Sequence, residues 1–173
     1  MMVAPASGSP SHGKSTGIVH LSAGLPEGQV IALDAGSGVI SYMVSSTTRP
    51  RLVMQDQFSE VEMTIVLPLF LRFPVFCTYE ELCASFYDRD TESQIVEKRR
   101  EILRRAKETK TLDNELRQIQ SAVNRAKMKI RPFGFEIGAI QRKGYMLIVL
   151  ERPDFSRFPY TLIEQSVYDG ELS

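Results

Sequence analysis

The sequence predicts an α+β fold: a small antiparallel sheet first, helices in the middle and a β-hairpin last. Three observations predict it. Short β-branched runs separated by turn residues fill 29–54, capping signals and amphipathic periods fill 58–130, and two further β runs flank a polar tip at 141–144. Short runs between turn residues mark a meander. Apolar residues recurring every three to four positions mark helices.

The meander consists of "QVIAL" (29–33), "GVISYMVSS" (38–46) and "RLVM" (51–54), with "DAGSG" and "TTRP" as the turns. In "FSEVE", Ser59 stands three residues before Glu62. That spacing is a capping box: the hydroxyl accepts an N–H of the first turn, and the carboxylate reaches back to the cap. The helix should continue through "MTIVLPLFLRF", where Pro68 predicts a kink or an early end. Thr78 and Glu81 repeat the signal in "TYEELCASFY" and start a short helix with Leu82, Phe86 and Tyr87 on its apolar side. A tight turn around 74–77 makes the two an αα unit.

Residues 91–110 form a highly charged helix whose stripe is Ile95, Val96, Ile102, Leu103 and Ala106. Glu97 and Glu101 precede Arg100, Arg104 and Arg105 at helical spacings that add local support. "TLDN" breaks this helix, with Asp113 as the next cap. The last helix, "ELRQIQSAVNRAKMKI", ends at Ile130. Leu116, Ile119, Val123, Ala126 and Ile130 share one face. Arg117, Gln118, Gln120, Ser121, Asn124, Arg125 and Met128 share the other. "RPFG" stops it, and "FEIGAI" and "GYMLIVL" pair around the tip "QRKG".

A chain of 173 residues, 43% of them hydrophobic, is enough for one domain with one core. The composition places that domain at 29–150, with a Gly/Ser/Ala/Pro-rich tail at 1–28 and a tail at 151–173 carrying Phe155, Phe158, Tyr160 and Tyr168. Cys77 and Cys83 make no disulfide framework and fit no common zinc spacing, so neither metal nor cofactor is expected and the setting is reduced and cytoplasmic. The longest apolar run, "TIVLPLFLRFPVF", is interrupted by Pro68, Arg72 and Pro74 and falls short of the ~18–20 residues of a membrane span. The N-terminus lacks a signal-peptide pattern.

One motif points toward an enzyme. Gly8–Ser15, in "GSPSHGKST", matches the phosphate-loop pattern G-x-x-x-x-G-K-[ST]. A working loop needs a buried strand before it and a helix after it. Pro5 interrupts the preceding segment, and Gly17, Gly24 and Pro26 disfavour a long helix behind it. A Lys14→Ala change should therefore be silent. His12 and His20 lie in or beside the same tail, and no paired acid/base constellation appears. The expectation is a protein without enzymatic activity.

The order of elements, with four motifs, resembles the OmpR/PhoB-type winged helix of bacterial response regulators over residues 28–150. "FSEVE" is similar to the family's L-T-x-x-E opening, and "CTYEELC" to its second-helix start. "VNRAKMKI … EIGAIQRKGYML" is similar to its recognition helix and wing. Val123, Ala126, Lys127, Lys129 and Ile130 fall in register, as do Ile137, Ile140, Gly144, Tyr145 and Leu147. There are departures. No receiver domain and hence no phospho-acceptor Asp is implied. Ala126 replaces a Leu and Lys127 an Arg, and Gln141 stands where the wing commonly has Arg. The 91–110 segment is far longer than the family's loop, which contacts RNA polymerase.

The resemblance implies a winged helix-turn-helix with a three-helix core, a long inserted charged helix and a hairpin wing. It implies a transcription regulator that binds double-stranded DNA in the nucleoid, as a dimer or in tandem on repeated sites. Gln118, Gln120, Ser121, Asn124 and Arg125 are the residue types that read base edges. Arg117, Lys127, Lys129 and Arg131 would flank them on phosphate, and Gln141, Arg142 and Lys143 would form the wing tip. Arg99, Arg100, Arg104 and Arg105 are candidates for gripping RNA polymerase or another regulator, as is the C-terminal tail. Charge distribution agrees. The chain is formally neutral, yet residues 91–143 carry 14 Lys and Arg against 7 Asp and Glu.

Overall fold

The computed structural model describes residues 17–45 and 49–150. Its first sheet is built from β1 (Ile18–Leu21), β2 (Gln29–Asp34), β3 (Val39–Ser45) and β4 (Pro50–Gln57), antiparallel and in chain order. The meander expected from the sequence is present, with a bulge at Tyr42/Met43. β1 is an addition. Composition assigns 18–21 to a tail, yet Ile18 pairs with Asp34 and Leu21 with Ile31, and Ala35 N–H donates to Gly17 O at 2.9 Å. His20 sits on this strand, exposed, opposite Ala32. The phosphate-loop match at 8–15 and the C-terminal aromatics lie outside the described residues.

Helix α1 (Glu60–Arg72) starts at the capping box read from the sequence. Glu62 N–H donates to Ser59 Oγ at 3.2 Å, and Ser59 N–H donates to Glu62 Oε2 at 2.8 Å. It does not end at Pro68. Proline has no N–H for the Thr64 carbonyl four residues back. The buried Ser85 hydroxyl donates to that carbonyl instead, at 2.6 Å. A side chain from the next helical segment thus satisfies the group that the proline orphans, and the helix continues for another turn.

After α1 the chain forms the two-residue strand β5 (Cys77–Thr78), then α2 (Tyr79–Cys83) with the second expected capping box, Thr78 with Glu81. α2 is shorter than its pattern suggests. It widens into a π-helical turn at Ala84–Asp88 and stops at Arg89 in left-handed backbone, φ 56°. Leu82 is fully buried, but Phe86 is half-buried and Tyr87 exposed. Helix α3 (Ser93–Glu108) is the charged helix, and only Leu103 and Ala106 of its stripe are fully in the core.

Helix α4 (Leu112–Ile130) begins earlier than expected. Its N-cap is Thr111, and Asp113 lies in its first turn rather than at the cap. A 3₁₀ turn (Arg131–Phe133) and Gly134 at φ 88° reverse the chain into β6 (Phe135–Ile140) and β7 (Gly144–Val149). The second sheet has the order β5-β7-β6. Gly144 makes that order possible: a Cβ there would sit 1.8 Å from the Cys77 carbonyl oxygen.

One apolar cluster joins Ile31 and Ile40 of the first sheet, Ile65 and Phe70 of α1, Ile119 and Ile130 of α4, and Phe135 of the hairpin. The Phe70 and Phe135 rings lie 5.7 Å apart at a tilt. Each such buried side chain contributes roughly 1.5–3 kcal/mol relative to exposure. The fold is therefore α+β, with four α-helices and two antiparallel sheets among the described residues. Among the described residues, no helix is long and apolar enough to cross a membrane.

Candidate nucleic-acid interface

The 3.6-residue period divides α4 cleanly. Leu116, Ile119, Ala122, Val123, Ala126 and Ile130 are buried. Arg117, Gln118, Gln120, Ser121, Asn124 and Arg125 are all exposed. So is Met128, at 56%. Arg117 donates to Asn114 Oδ1 at 3.1 Å on its own helix. Among the described residues, the side chains of Gln118, Gln120, Ser121, Asn124 and Arg125 make no hydrogen bond or ion pair. The flank is polar and available.

Two lysines placed with this flank are not free. Lys127 and Lys129 stand at its two edges, both partly buried. Lys127 Nζ lies 3.6 Å from Glu136 of β6. Lys129 Nζ donates to Glu62 Oε2 at 2.8 Å and to the Gln57 carbonyl at 3.0 Å. Glu62 is 5% exposed. Its burial raises its pKa, but the Lys129 hydrogen bond and charge and the Ser59 donors outweigh that and hold it below the ordinary value of 4.5. These lysines therefore fix the roll of α4 against α1 and the hairpin. Within the chain their charge is met by Glu136 and Glu62, while both side chains stay partly exposed. Arg131, one residue beyond α4, remains exposed.

The hairpin tip stands beside the N-terminal half of this flank. Gln141, Arg142 and Lys143 are exposed. Lys143 N–H donates to Ile140 O at 3.0 Å, closing the turn, and Arg142 occupies its left-handed position at φ 60°. Left-handed backbone costs a non-glycine residue roughly 1–2 kcal/mol. The tip is tied down by Tyr79 N–H, which donates to Lys143 O at 2.9 Å. Arg142 and Gln120 line the same groove of about 530 Å³. Lys107 of α3 lines it too. Nothing in the sequence marks Lys107, because its nearness to Arg142 is purely tertiary.

The arginines of α3 are largely satisfied within the chain. Arg99 Nε donates to Asp88 Oδ2 at 2.6 Å and its guanidinium lies 4.8 Å from the Tyr87 ring centroid. That hydrogen bond lowers the Asp88 pKa and raises that of Arg99. Arg99 thus rivets α3 to the π-helical turn. Arg100 pairs with Glu97, Arg104 with Glu101 and Glu108, and Arg105 with Glu101 at 2.9 Å. Exposed pairs of this kind are worth about 0–1 kcal/mol each, and they match Arg100, Arg104 and Arg105 with Glu97, Glu101 and Glu108, while Lys98 and Lys107 stay unpaired among the described residues.

Burial pushes the Cys77 and Cys83 thiols up to about 12, so neither is a nucleophile at neutral pH. Among the described residues, no three His, Cys, Asp or Glu side chains cluster as a metal site. The comparisons with known proteins add no relative: no family model matches the chain, and no curated protein or solved structure matches it either.

Proposed function

We propose that this chain is a winged-helix, OmpR/PhoB-like transcription regulator that reads double-stranded DNA with the exposed flank of α4. The observation that carries the reading is the exposed polar flank of a long helix whose opposite face is core, set beside a basic hairpin tip. Asn and Gln suit adenine edges and Arg suits guanine. Met128 offers an apolar contact for a thymine methyl. The element order supports the reading too: four strands, α1, a short strand, α2, then α4 and a hairpin whose β7 pairs with that short strand. α3 is the insertion. The regulator would act without enzymatic activity, in the nucleoid, as a dimer or in tandem on repeated sites.

Salt dependence tests this reading. A labelled duplex should bind with log K falling linearly as log salt rises, with a slope of about −0.9 per phosphate neutralised. Binding that is absent, or indifferent to salt, overturns it.

The other reading is a winged-helix protein that works on RNA polymerase or another regulator through α3. Excising 92–110 cannot discriminate, because Leu103 (4% exposed) and Ala106 (5%) belong to the core. The triple change R100Q/R104Q/R105Q does. Unchanged DNA binding with lost transcriptional effect favours that second surface, and both effects unchanged removes it.

A further inference from the structure

Lys107 lies one residue before the end of α3, exposed. With Arg142 and Tyr79 it lines the groove of about 530 Å³ whose far wall is Leu116 and Gln120 of α4. A second lobe of about 260 Å³ continues from it past Lys143. Three cations from two distant parts of the chain converge there. Lys107, Arg142 and Lys143 have no ion-pair partner among the described residues. Glu80 and Asp113 also line the two lobes, and neither pairs with these cations. Three positive charges against two negative leave the groove cationic. Its apolar floor, Leu112 and Tyr79, lies between them.

Uncompensated like charges brought together by folding repel one another, and an anion held among them removes that repulsion. The groove also adjoins the flank of α4 assigned to bases. A strand whose bases meet Gln120 carries its backbone past the wall that Gln120 shares with Arg142. Sugar faces suit an apolar floor, and phosphates suit the rim.

We propose that this groove seats the phosphate backbone of the bound duplex, and that Lys107 makes the inserted helix α3 part of the DNA interface. The inference rests on the DNA-binding reading above and adds a contact outside the recognition helix and wing. Asp113, on the same wall, opposes the phosphate and keeps the contact weak.

The experiment titrates a fluorescent duplex with the full chain over a salt series. Lys107→Gln is compared with wild type, with Lys98→Gln as a control elsewhere on α3, and with Asp113→Asn. Lys107→Gln should weaken binding about three- to tenfold on every sequence and flatten the salt slope by about 0.9. Asp113→Asn should tighten binding, and Lys98→Gln should change neither quantity. Wild-type slope and affinity in Lys107→Gln, or an equal loss in Lys98→Gln, overturn the groove assignment while DNA binding stands. No duplex binding by wild type overturns both. A thermal melt of each variant at wild-type temperature confirms that an exposed lysine was removed without unfolding the domain.

Discussion

Replacing Glu62 separates two forces that act on the start of α1 and the end of α4. Its carboxylate accepts the Ser59 N–H at 2.8 Å, closing the capping box, and accepts Lys129 Nζ at 2.8 Å. Gln at this position can still close the box but cannot hold the ion pair. Glu62→Gln should therefore cost about 1.5 kcal/mol, the low end for a charge-assisted hydrogen bond, since Lys129 is a third exposed and regains water. Glu62→Ala loses the reciprocal cap as well and should cost about 3 kcal/mol. For a domain of this size 1 kcal/mol moves Tm by roughly 4 °C, so the two melts should fall by about 6 and 12 °C at pH 7. The pH dependence has a definite sign. The folded pKa of Glu62 lies below 4.5, so its charge stabilises the fold fully above that value and loses effect as pH falls through the folded pKa. The gap between wild type and Glu62→Gln should narrow in acid. Circular-dichroism melts at pH 7 and pH 3.5 read both effects. A Glu62→Gln melt within 1 °C of wild type at pH 7, or a gap that widens in acid, refutes the tether between α1 and α4.

Ser85→Ala should cost about 1–3 kcal/mol in urea melts, because it leaves the Thr64 carbonyl buried without a donor. The same change in a Pro68→Ala background should cost less, because an alanine there supplies the missing helix N–H, and equal costs in both backgrounds would disprove the substitution of one donor for the other. Arg142→Gly should move stability and binding in opposite directions. Relief of the left-handed backbone raises stability by about 1 kcal/mol, while duplex affinity falls and the salt slope flattens by about 0.9. A melt and an anisotropy titration on one sample check the pair.

Much of this architecture is legible because local rules and tertiary packing agree. Both capping boxes, at Ser59 and Thr78, form as their spacing requires. The five apolar positions read from the α4 period are all buried, and its polar flank is all exposed. What the sequence conceals is decided by distant partners. Four residues, Ile18–Leu21, among glycines and prolines carry no period of their own, and only pairing with β2 makes them a strand. Pro68 looks like a helix stop until Ser85, 21 positions from the Thr64 carbonyl, supplies a donor. Charge alone marks Arg99, Lys127 and Lys129 as surface contacts, yet Asp88, Glu136 and Glu62 are brought to them by the fold. Lys107 carries no more signal than its neighbours on α3, because the hairpin tip that gives it meaning is 35 residues further along the chain, at Arg142.

The claim that the α4 flank reads sequence is tested most directly by selection from a random duplex pool, comparing wild type with Asn124→Ala/Arg125→Ala. Both side chains are exposed and partnerless, so the variant should melt with the wild type. Wild type should enrich a defined motif, and the double variant should still bind duplex through the remaining cations but enrich none, each lost bidentate contact removing about 1–3 kcal/mol of discrimination. The same motif enriched to the same degree by the double variant would contradict the account.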